Sequence, residues 1–79
     1  IIVYEIDMTQ ETKLQIESLL SKKKIVEALN ILKEHHDDAF LLLARYNNVL
    51  KHYNNGLIEK SEFNRTVTQI KWAIKEIIQ

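Results

Sequence analysis

A single glycine, Gly56, separates two long apolar-striped segments in a chain that contains no proline. Before it, Ala39, Leu43, Tyr46, Leu50 and Tyr53 recur at alternating spacings of four and three; after it, Phe63, Val67, Ile70, Ile74 and Ile77 do the same. That spacing keeps one face of a helix apolar through successive turns. Asn54-Asn55-Gly56 is a strong stop, because asparagine and glycine tolerate the left-handed conformation that closes a helix. The pattern therefore predicts a helix, a sharp turn and a second helix returning along the first. Leu57 and Ile58 are expected to bury that turn.

The register can be checked residue by residue. Folding about Gly56 pairs Tyr53 with Phe63, Leu50 with Val67, Tyr46 with Ile70, and Leu43 with Ile74. The layers agree to within about a residue, as antiparallel helix packing requires. These residues, with Ile77, are the expected core of the hairpin.

The remaining chain supplies a second, shorter hairpin. Asp7 or Thr9 can cap a first helix with Ile16, Leu19 and Leu20 on its apolar stripe, and Lys22-Lys23-Lys24 lie beyond its end. A second helix carries Ile25, Ala28, Leu29 and Leu32 on one face and ends near His35 and His36. Asp37 or Asp38 caps the third, whose opening Ala39-Phe40-Leu41-Leu42-Leu43-Ala44 has almost no polar side. Such a helix is expected to be enclosed by its neighbours. The fourth starts near Glu59 or Lys60, with Ser61 as a competing cap. The fold class is thus all-α: a small four-helix bundle built from two antiparallel helical hairpins over residues 8–79. Residues 1–7 are read as an arm or the remnant of a linker, with the chain a piece of something longer.

Composition narrows the function. Cysteine is absent, so thiolate chemistry and disulfides are excluded. Eleven basic residues balance eleven acidic ones, which argues against a dedicated nucleic-acid binder. No apolar run approaches the ~20 residues of a bilayer span, and no membrane association is expected. There is no phosphate-binding glycine loop or nucleophile elbow, so no enzyme and no cofactor are expected. His35-His36-Asp37-Asp38 is the one cluster with metal-ligand chemistry. Four adjacent residues across a helix junction point apart, and each suits its helix terminus, so no metal site is expected.

Two off-stripe residues stand out. Trp72 lies almost opposite the core stripe of the fourth helix, grouped with Arg65, Thr68, Lys75 and Glu76. It is either a lid covered by the first two helices or an exposed anchor for a partner. Arg45, on the third helix beside Leu41, either pairs with Glu76 or Glu62 or meets a partner. Trp72, Arg45, Arg65 and Lys75 are the candidate interface.

From Leu41 onward the chain resembles a known family. Leu41-Leu42-Leu43-Ala44-Arg45-Tyr46-Asn47-Asn48-Val49-Leu50, Gly56-Leu57-Ile58, Glu62-Phe63-Asn64-Arg65 and Ile70-Lys71-Trp72-Ala73-Ile74 are similar to the effector-associated domain of the eleventh type. Glu59 and Phe63 depart from its usual polar cap and tyrosine. The resemblance implies a small helical adaptor of bacterial conflict and immunity systems, cytoplasmic and death-like in role. It would recruit or cluster an effector through homotypic contacts with a like domain, on a partner or on another copy, a homodimer included. A self-associating structural module is the first alternative. A nucleic-acid binder with a basic face of Lys13 and Lys22–Lys24 is the second.

Overall fold

The computed structural model describes residues 9–79 and contains four α-helices: α1 Gln10–Ser21, α2 Ile25–Leu32, α3 Asp38–Asn54 and α4 Lys60–Ile78. No strand occurs among the described residues. The arm expected over residues 1–7, and Asp7 as a cap, lie outside them. Thr9 caps α1, its hydroxyl accepting the Thr12 N–H at 3.1 Å. Asp37 and Glu59 occupy the cap positions of α3 and α4 without a side-chain cap hydrogen bond. α2 stops at Leu32, short of the expected His35. There the backbone tightens, with Glu34 N–H donating to Ile31 and His35 N–H to Leu32, each three residues back.

Both hairpins close with the same backbone device. After α3, Leu57 N–H donates to His52 O at 2.9 Å and Gly56 N–H to Tyr53 O at 3.1 Å, with Gly56 at φ 75°. After α1, Lys24 N–H donates to Leu19 O at 2.8 Å and Lys23 N–H to Leu20 O at 3.0 Å, with Lys23 at φ 62°. This nested pair of bonds satisfies carbonyls that the last turn leaves unpaired. At the first closure a lysine occupies the left-handed position that glycine fills at the second. A Cβ added at Gly56 would meet nothing within 4 Å, so only backbone preference opposes a side chain there. Gly56→Ala should therefore cost about 1 kcal/mol, and Lys23→Gly should return up to about 1 kcal/mol. Urea unfolding of the two variants checks this; a Lys23→Gly variant less stable than wild type would contradict it.

The core is centred on α2. Ile25, Ala28, Leu29 and Leu32 are buried there, joined by Ile16 and Leu20 of α1, Ala39 of α3, and Ile70, Ile74 and Ile78 of α4. α2 packs against α1 on one side and α3 on the other, α3 packs along α4, and α1 touches α4 more lightly.

Three expectations need correction. The opening turns of α3 are not enclosed: only Ala39 is buried, while Phe40 is 55% and Leu41 72% exposed. α2 is only 8 residues long and covers one side of α3. Lys33 partly screens Phe40, its ammonium 5.8 Å from the ring centroid. Second, the hairpin core is sealed only at Ile70 and Ile74. Leu43, Tyr46, Val67 and Ile77 are half-buried and pack against the core as expected, Leu50, Tyr53 and Phe63 are half-buried, and Ile78 reaches the interior. For Leu50, Tyr53 and Phe63, near the turn, the physical reason is length. Helices of 17 and 19 residues outrun α1 and α2, so the half nearest Gly56 has no third layer over it. Third, Ile58 is half-buried at the turn but Leu57 is 68% exposed.

The register itself holds where rings report it. Tyr53 and Phe63 stack at 4.7 Å between centroids, as the pairing from Gly56 predicts. Tyr46 was paired with Ile70, but its ring also tilts against Phe63 at 6.4 Å.

Candidate interaction surface

Ile70, Ile74 and Ile78 turn one face of α4 inward, and each further residue rotates about 100° from the last. Trp72 therefore points away from the core, and it is 65% exposed. Neither α1 nor α2 covers it, which removes the lid reading. Lys75 stands beside it, with the ammonium 5.8 Å from the ring centroid. Both groups face water, so this cation–π contact holds the lysine over the ring rather than contributing much stability. Arg65 lies on the same ridge, seven residues or about 10.5 Å along the axis. Thr68 and Glu76 complete the exposed ridge.

On one flank of the ridge, α3 and α4 leave an open groove of about 620 Å³. Leu41, Leu42, Ala73 and Ile77 give it an apolar floor, and Asp38, Glu76 and His36 line its rim. His36 is the ordering element at this end: its Nδ1 accepts the Asp38 N–H at 3.3 Å and lies 3.9 Å from the Asp38 carboxylate. Arg45 crosses the next turn. Its Nη2 donates to Gln69 Oε1 at 2.6 Å, tying α3 to α4. Arg45 is four residues beyond Leu41 and Gln69 four before Ala73, so this bond marks the groove's far end.

The expected pairing of Arg45 with Glu76 or Glu62 does not occur. Each glutamate is seven residues from Gln69 on α4, roughly 10.5 Å up or down the helix. A side-chain amide at the same level takes the guanidinium instead. Of the four candidate interface residues, Trp72, Lys75 and Arg65 thus share one ridge. Arg45 sits across the groove, connected to it through Gln69.

On the other flank, α1 and α4 bound a second cleft of about 450 Å³ lined by Glu17, Leu20, Ser21, Lys23, Lys71 and Lys75. Part of the basic face invoked for nucleic-acid binding gathers here, but not all of it. Lys13 lies about 15 Å up the α1 axis from Lys23. Lys24 is drawn to Glu27 at 4.0 Å.

Of His35, His36, Asp37 and Asp38, His36 and Asp38 come together, at 3.9 Å. Among the described residues no three His, Cys, Asp or Glu side chains could hold a metal ion together, and no helix is long and apolar enough to cross a membrane. What the surface can do is bind: a protruding aromatic, an adjacent apolar groove, and charges of both signs around them. Leu42, Gln69 and Ala73 are not among the interface residues expected from sequence, and Asp38 is expected there only as a helix cap and in the histidine–aspartate cluster. The register counted from Gly56 would not have found the groove: it sets Leu41 against Lys75 or Glu76 and Arg45 against Lys71 or Trp72, whereas Arg45 meets Gln69.

The family described as Effector-associated domain 11 matches residues 11–79. No curated protein and no solved structure matches the chain.

Proposed function

Because the chain belongs to the effector-associated domain 11 family, we propose that it is a non-enzymatic adaptor that binds a like helical domain. In doing so it brings an effector to its sensor, or clusters copies of it, in a cytoplasmic bacterial conflict or immunity system. The family itself points to an adaptor role in effector systems.

The observation that carries the finer reading is Trp72, 65% exposed on a ridge with Arg65 and Lys75 and beside an open apolar groove. Tryptophan and arginine are among the residues enriched at interface hot spots: the indole buries a large, rigid apolar area, and the guanidinium presents several donors in a fixed planar array. The non-enzymatic reading is supported by where the charged groups lie. Among the described residues, the charged groups that gather do so on an open groove and an open cleft, not in an enclosed pocket. A metal, a cofactor and nucleic acid have no part in this reading.

The test is capture of a like domain from the same family by wild-type protein and by Trp72→Ala, Arg45→Ala, Arg65→Ala and Lys75→Ala. Trp72→Ala should weaken capture by about 30-fold or more, and the charge removals by less, with helicity by circular dichroism unchanged. Variants that bind like wild type, or that unfold, would remove these residues from the interface. A chain that associates with itself but never with a related domain would support the structural-module alternative.

A further inference from the structure

We propose that the α3/α4 groove is the socket for the Trp72–Lys75 pair of a second copy of this chain, and that two copies exchange these contacts about a two-fold axis. The inference rests on the adaptor reading and specifies the surface, the partner and the stoichiometry of its like-to-like contact.

Shape is the first argument. Trp72 projects on the ridge of α4, while its neighbour Ala73 lies in the groove floor with Leu41, Leu42 and Ile77. Knob and socket are thus adjacent flanks of one helix. Leu41 is 72% exposed, so the floor is open to an incoming ring. A surface carrying both halves of a contact is self-complementary. When two copies are related by a two-fold axis, each knob meets the other's socket and the assembly closes at two.

Charge is the second argument. The socket's rim holds the carboxylates of Asp38 and Glu76. Among the described residues neither lies within ion-pair distance of a lysine or arginine, and Asp38 has only His36 at 3.9 Å. The knob brings the matching sign, because Lys75 rides over the Trp72 ring. An indole entering the apolar floor would carry that ammonium toward the acidic rim, an opposite-sign meeting that also fixes register. The formal net charge of zero leaves no overall repulsion between copies. The Arg45–Gln69 bond bounds the socket one turn further along.

Trp72 is the chain's sole tryptophan, so its emission reports the contact directly. With rising concentration of the 79-residue chain, emission should shift to the blue while the mass by light scattering rises to two copies and no further. Trp72→Ala and Leu41→Glu should each weaken association by about 30-fold or more. Leu41 is exposed, so helicity should survive its replacement; Leu41→Ser serves if the glutamate disturbs folding. The deciding measurement is the mixture. Leu41→Glu keeps the knob and Trp72→Ala keeps the socket but has no tryptophan. Adding Trp72→Ala to Leu41→Glu should shift the emission to the blue, whereas adding more Leu41→Glu should not.

A silent mixture, growth beyond two copies, or wild-type emission that ignores concentration would overturn the proposal. If the wild type stays monomeric yet captures a related domain through Trp72, the reciprocal contact falls and the adaptor reading stands. If it neither self-associates nor captures a related domain, both fall.

Discussion

Leu29→Ala should lower the free energy of unfolding by about 2–5 kcal/mol. Leu29 is fully buried in α2, the helix that packs against both α1 and α3. Removing its isobutyl group forfeits transfer free energy and leaves a cavity, together about 2–5 kcal/mol. A chain of this length has roughly 4–12 kcal/mol in total at 0.05–0.15 kcal/mol per residue. The loss is therefore a large fraction of everything that holds the fold. Leu41→Ala, which removes the same atoms from a largely exposed site, should stay within about 0.5 kcal/mol of wild type. Urea titration followed by circular dichroism measures both. Equal costs at the two positions would mean that the core is not centred on α2.

That contrast marks how far the sequence could be read. Ile25, Ala28, Leu29 and Leu32 were legible because a single face at helical spacing has one place to go, and all four are buried. The run Ala39–Ala44 was not. A stretch without a polar side says that burial is available, but burial depends on whether neighbours are long enough to reach, and α2 ends after 8 residues. Trp72 posed the same problem. Its angle on α4 placed it off the core, while its exposure depended on α1 lying along the Lys71–Lys75 flank instead. The left-handed Lys23 carries no sequence signature, since lysine is not a residue that prefers that conformation. The groove was not within reach of the register counted from Gly56, which sets Leu41 against Lys75 or Glu76 rather than Ala73. Its floor is made of residues too ordinary in type to attract notice.

Phe63→Ala should loosen one end of the molecule while sparing the other. Phe63 stacks on Tyr53 at 4.7 Å and tilts against Tyr46 at 6.4 Å. It is the ring through which the outer half of the α3/α4 hairpin is held. It is half-buried, so truncation should cost about 2–3 kcal/mol, below the range for a fully enclosed phenylalanine. No third helix covers this end, and Glu59 makes no side-chain cap bond to the α4 N-terminus. Little remains there to resist fraying once the rings separate. The loss should therefore appear as local opening rather than global unfolding. Hydrogen exchange should quicken over residues 50–66, from the last turns of α3 through Gly56 into α4. Protection over α1 and over residues 28–32 should change far less, while Lys23 and Ile25 border the same cleft as Phe63. Uniform acceleration across both stretches would show instead that the hairpin and the α2-centred core open as one unit. The association surface would then depend on the rings near the turn as well as on the helices that flank it.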